Sequence, residues 1–147
     1  MRTLRIVLAW LAATVLAGAL AALVHSQLAM SALTRLGVEV GLRERWQAGL
    51  HDLVSFAPVF ALIAAVALLL GLPVSGLLAR RVPSRRTALH SLAGFAALLV
   101  ALGLMAVALP VMPISAARDP GGLLALAACG AAGGALFAVL SARRLQE

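Results

Sequence analysis

Four stretches of this chain, from Ile6 to Val24, about Leu53 to Ala79, Thr87 to Leu109 and Gly121 to Ala142, contain no Asp, Glu, Lys or Arg. Each approaches or exceeds the roughly 20 residues that a helix rising about 1.5 Å per residue needs to cross a hydrocarbon layer about 30 Å thick. With 63% hydrophobic residues, 12% charged residues and a mean hydropathy of +1.07, the 147-residue chain has too few polar side chains to cover such stretches against water. That excludes a water-soluble domain, a disordered chain and a large soluble catalytic domain. The runs are continuously apolar and rich in Ala and Leu, whereas a membrane barrel alternates polar and apolar residues, so helices are expected and strands are not. The expected fold class is all-α: an integral membrane four-helix bundle, one domain over 1–147. Its transmembrane helices are expected over about 6–25, 53–79, 86–109 and 121–142, with an outer amphipathic or interfacial segment over 26–52.

The charges sort by position. All 12 basic residues are Arg, against five acids, giving a net charge of +7. The arginines cluster at the ends of apolar runs and no stacking aromatics lie among them, so a nucleic-acid partner is not expected. Arg2, Arg5, Arg80, Arg81, Arg85, Arg86, Arg143 and Arg144, with Glu147, fall on one side of the expected membrane. Arg35, Arg43, Arg45 and Arg118, with Glu39, Glu44, Asp52 and Asp119, fall on the other. Positive residues favour the cytoplasmic face, which puts both termini inside and the 26–52 segment outside. A bacterial inner membrane fits the strength of this bias and the absence of eukaryotic sorting signals. The first run has signal-peptide features, but its apolar stretch is longer than the roughly 7–15 residues of such a segment, and it is read as a retained anchor.

Local chemistry predicts the boundaries. Ser84 after Pro83 is expected to cap the third helix, Asp119 with Pro120 the fourth, and Asp52 with Ser55 the second. Pro58 and Pro73, with Gly71 and Gly76, predict a bend in the second helix, either as a gap on the inner half or as a packing adjustment. Small residues recur every fourth position: Ala9, Ala13, Ala17 and Ala21; Ala67, Gly71, Ser75 and Ala79; Ala93, Ala97 and Ala101; Gly130, Gly134, Ala138 and Ala142. Such ridges let helices approach closely, and Gly130 and Gly134 are the expected helix-packing interface, facing either this chain or a second copy. No charged residue lies mid-span, and Thr14 and Ser75 can bond to their own helix, which argues against a monomeric ion channel or proton-coupled pump.

Outside the spans, Trp46, Leu50 and Leu53 share one face of an amphipathic stretch that reads as an interfacial helix, with Trp46 at headgroup level. His25, Arg43, His51, Asp52 and Arg118 are the candidate ligand-binding residues of this outer ledge. His25 and His51 are the only histidine pair on one side, and hence the only candidates for two axial ligands of a b-type haem; His90 lies near the opposite end. A metal set from His25, His51, Asp52 and Glu39 has no recognised spacing, so no metal or cofactor is expected. Cys129 is alone and excludes an internal disulfide. There is no HExxH, GxSxG, phosphate loop or dinucleotide fingerprint, and an enzyme is not expected. The leading expectation is a small membrane protein acting by association, as an accessory subunit or homo-oligomer. The alternatives are a binder or carrier of a lipid or other apolar molecule at the outer leaflet and a b-type haem protein.

Overall fold

The apolar runs are helical throughout, and the first two helices extend well past them. The computed structural model describes residues 2–110 and 114–142. Arg143, Arg144 and Glu147 of the charge balance, and part of the link between Pro110 and Pro120, lie outside the described residues. The elements are α1 (Arg2–Arg35), α2 (Leu42–Arg81), α3 (Arg86–Ala108) and α4 (Pro120–Ala142), with short 3-10 turns at Pro83–Arg85 and Ser115–Arg118. All four α-helices are long and apolar enough to cross a membrane.

α1 has 34 residues and α2 has 40, against 23 each in α3 and α4. At about 1.5 Å per residue the first pair spans about 51 and 60 Å and the second pair about 35 Å, so the α1–α2 hairpin projects beyond the others at its turn. The expected interfacial segment is therefore an extension of the two long helices. Trp46 and Leu50 belong to the first turns of α2 itself and are 66% and 60% exposed. α1 stops where the glycine signal lies. Gly37 has φ +83°, and the amides of Gly37 and Val38 donate to the carbonyls of Thr34 and Leu33, the paired bonds that close a helix on a left-handed residue.

One of the expected caps forms. Asp119 Oδ2 accepts from the amides of Gly121 at 3.0 Å and Gly122 at 3.3 Å, with Pro120 as the first helical residue of α4. Ser84 does not cap α3, because the chain first makes the Pro83–Arg85 turn and α3 begins without a side-chain cap. Asp52 and Ser55 lie inside α2, not at its start; the Ser55 hydroxyl donates to the His51 carbonyl at 2.7 Å. Pro58 and Pro73 sit within the same unbroken helix. Thr14 and Ser75 are buried and donate to the carbonyls of Leu11 and Leu72 in their own helices.

The helices pack in sequence and close on themselves: α1 on α2, α2 on α3, α3 on α4 and α4 on α1, with α2 barely touching α4. A glycine lies in every seam. A Cβ at Gly18 of α1 would stand 2.8 Å from the Ala57 carbonyl oxygen of α2, and one at Gly71 of α2 2.9 Å from Ala97 Cβ of α3. A Cβ at Gly133 of α4 would lie 2.9 Å from the Ala13 carbonyl oxygen of α1. In the α3–α4 seam, Gly94 lies against the Gly130 carbonyl, Gly130 against Gly94 and Leu98, and Gly134 against the His90 carbonyl. Gly130 and Gly134 are thus taken up inside the chain. The alanine ridges of α1 and the Ala67, Ser75 and Ala79 row of α2 are buried as expected of packing faces. On α3 the buried row is instead His90, Gly94, Leu98 and Leu102, with Ala93, Ala97 and Ala101 only half-buried beside it.

Contact of this closeness has no room for a methyl group. Gly134→Ala is expected to lower stability by about 1–3 kcal/mol, the range for overpacking a filled interior. Gly103→Ala, where a Cβ meets nothing within 4 Å, should be neutral or stabilising. Unfolding of both variants by mixed-micelle titration checks this; equal stability would contradict the assigned α3–α4 seam.

Candidate functional site

Of the five outer residues expected to form a site, the fold brings two together, and adds a third. His25 lies on α1 and Asp52 on α2, 27 residues apart in sequence, and the carboxylate accepts from His25 Nδ1 at 3.2 Å. A neutral imidazole that donates from Nδ1 leaves Nε2 as an acceptor, and the Ser115 hydroxyl lies 3.1 Å from it, 90 residues away in sequence. The His25 ring stacks on Phe56 with centroids 4.3 Å apart and planes within 13°, and Phe56 in turn contacts the buried Phe60. The imidazole is therefore held by a carboxylate on one nitrogen, a hydroxyl on the other and an aromatic face beneath.

Ser115 opens the short turn Ser115–Arg118, between α3 and α4. The buried residues Ile114 and Ala117 pin this turn to the core, and the Ala117 amide donates to the Ile114 carbonyl at 3.1 Å. The Ala116 carbonyl packs directly onto Gly122 in the first turn of α4. Ser115 and Arg118 are left exposed while the backbone between them is fixed. Asp119 caps α4 immediately after, so the turn that carries the serine is tied to the helix start.

Arg118 shares the turn of Ser115, and the other two expected residues lie elsewhere. Arg43 and His51 are exposed on α2, outside this cluster. Arg45 reaches across the hairpin to Gln27 at 3.4 Å and Thr34 at 3.3 Å. Both nitrogens of His25 are hydrogen-bonded. His25, His51, Asp52 and Glu39 do not converge, and among the described residues no three His, Cys, Asp or Glu side chains are placed to hold a metal ion. Ser115 and Phe56 were missed in the sequence. The only signal for Ser115 was its place in the link that also carries Arg118 and Asp119.

A second feature lies at the opposite end, where α1 starts and α2 and α4 finish. A cavity of about 1420 Å³ opens there between the helices. Its wall is apolar, built from Trp10, Leu68, Leu72, Pro73 and Phe137, and Arg5, Arg80 and Arg86 line it, with no acidic side chain among the described residues of the lining. Gly76 faces space, since a Cβ there would meet nothing within 4 Å. The Arg5 guanidinium donates to the Leu140 carbonyl at 3.2 Å and Arg86 to the Ser141 hydroxyl at 2.7 Å. His90 Nδ1 donates to the Arg86 carbonyl at 3.0 Å and its ring stacks on Phe137. The Trp10 Nε1 proton is buried and has no acceptor among the described residues.

No known protein family, no curated protein and no solved structure matches the chain.

The His25–Asp52 contact makes a measurable prediction. Both side chains are about one-fifth exposed, so the pair should contribute little, about 1 kcal/mol or less. A double-mutant cycle on His25→Ala and Asp52→Ala, read by unfolding in mixed micelles, should give a favourable coupling of that size. Strict additivity would mean that the two are not partners.

Proposed function

We propose that the protein is a four-helix bundle in a bacterial inner membrane, with both termini cytoplasmic, and that it binds an anionic amphiphile in the cavity at its arginine-rich end. The observation that carries this reading is the composition of that cavity: apolar walls and three arginines, with no acid among the described residues that line it. An apolar interior takes an acyl chain without loss of hydration, and arginine forks suit a phosphate or carboxylate headgroup. The volume of about 1420 Å³ exceeds the roughly 300–1,000 Å³ of common small-molecule sites. The arginine bias along the chain supports the orientation, which makes the bound molecule one of the cytoplasmic leaflet. The outer residues Arg43, His51 and Arg118 have no part in this reading. Gly130 and Gly134, for which packing within this chain and against a second copy were both open, lie against α3 of the same chain and have no part in it either.

Trp10 in the cavity wall supplies the test. In a Trp46→Phe background it is the single tryptophan, and its fluorescence in nanodiscs should be quenched by brominated phosphatidylglycerol more than by brominated phosphatidylcholine. Neutralising Arg80 and Arg86 to Gln should reduce the preference for the anionic lipid about fivefold per arginine, following roughly 1 kcal/mol for each basic group near a lipid headgroup. Gly76→Phe, which fills open space, should reduce quenching by both lipids. Equal quenching by the two lipids in the Trp46→Phe protein, unchanged by either substitution, would overturn the proposal.

A further inference from the structure

The geometry points to a serine hydrolase site at the other end of the molecule, in which Ser115 is the nucleophile, His25 the general base and Asp52 the group that positions it. Each contact has the sense that nucleophilic catalysis requires. The Asp52 carboxylate accepts a hydrogen bond from Nδ1–H at 3.2 Å, which favours the tautomer whose Nε2 lone pair faces the serine hydroxyl at 3.1 Å. The Phe56 ring beneath the imidazole holds its plane. The Ser115 side chain is exposed, while Ile114 and Ala117 anchor its turn in the core, so the hydroxyl is accessible on a fixed backbone. A histidine that merely tied two helices together would need only the Asp52 contact. The third residue, contributed by a separate turn, is what makes the set chemically competent.

The surroundings select the substrate class. Ser115 lies between the end of α3 at Ala108 and the start of α4 at Pro120, at the level where the apolar helices stop. Exposed Leu28 lies by Gly122, against which the turn also packs, and Phe56 backs the base. The site suits a carboxylic ester whose acyl chain remains in an apolar layer while its carbonyl reaches the boundary with water.

The reaction balances with water as the only co-reactant. Ser115 Oγ forms a bond to the carbonyl carbon as its proton passes to His25 Nε2. The bond from that carbon to the alcohol oxygen breaks, and the leaving alcohol takes the proton from Nε2. Water then attacks the acyl carbon and gives a proton to Nε2. The bond to Ser115 breaks, and Nε2 returns its proton to the serine oxygen. One ester and one water yield one carboxylic acid and one alcohol.

Phosphonylation by a long-chain alkyl fluorophosphonate, with the full-length protein in nanodiscs, tests this directly. Peptide mass spectrometry should locate the adduct on Ser115, and Ser115→Ala should abolish it. His25→Ala should slow labelling by at least about 100-fold, the lower range for a general base. Asp52→Asn should slow it less, and Asp52→Glu should recover part of the loss, which a merely structural contact would not do. Tryptophan emission and elution volume show whether each variant keeps its fold. Absence of labelling on Ser115, with a serine hydrolase in the same nanodiscs labelled, would overturn the proposal. So would labelling that His25→Ala leaves unchanged in a folded protein, the behaviour of an ordinary surface serine. A short-chain fluorophosphonate reacting as fast as the long-chain one would overturn the assignment of an amphiphilic ester.

Discussion

Contact between the backbone of one helix and a glycine of the next is the constraint on which this structure depends. Each of the four seams contains one: Gly18 against Ala57, Gly71 against Ala93 and Ala97, Gly94 and Gly134 against Gly130 and His90, and Gly133 against Ala13. Helices of Leu, Ala and Val that are apolar on every side gain little from choosing one neighbour over another when their surroundings are equally apolar. Close approach selects the partner, because only where the side chain is missing can two backbones make continuous van der Waals contact. The exposed leucines and valines around the outside of all four helices are then left facing outward, where an apolar environment would suit them.

These seams also place the residues of the two candidate sites. The Gly18 contact with Ala57 sets the register of α1 against α2, and in an antiparallel hairpin a step forward on one helix matches a step back on the other. Seven residues on from Gly18 is His25, and five back from Ala57 is Asp52. The two meet for that reason, and a slip by one turn of about 5.4 Å would part them. Packing of the Ala116 carbonyl on Gly122 performs the same service for Ser115. At the opposite end the seam between α3 and α4 persists to His90 and Gly134, while Gly76 of α2 faces open space and Pro73 and Gly76 border the cavity.

The two ends therefore differ in kind. One has a small polar cluster on a rigid platform, where the buried core is dense with Phe60, Leu98, Leu102 and Leu126. The other has a smaller buried cluster, Ala9, Ala13, Leu68, Leu72 and Phe137, and an apolar hollow bordered by cations. Esters at one boundary and anionic amphiphiles at the other are the chemistries that these ends invite, and they rest on separate observations.

Much of the architecture was legible in the order of residues, because helix formation over a long apolar run needs no distant partner. The four helices, the stop at Gly37, the Asp119 cap and the inward alanine ridge of α1 all follow from local periodicity and local hydrogen bonding. The full length of α2 did not, since its polar first turns resemble a separate amphipathic helix until the chain is seen to continue straight through Asp52. Nor did the site. His25 and Asp52 were visible as polar residues near the ends of spans, but Ser115 is 90 residues from His25 and no spacing rule joins three groups carried by three elements. Likewise Arg5, Arg80 and Arg86 read as markers of orientation, and only packing shows them lining one hollow with Trp10 and Phe137. Hydropathy acts along the chain and can be read from it; the meeting of side chains depends on register between helices, and register is decided by which backbones lie close enough to touch.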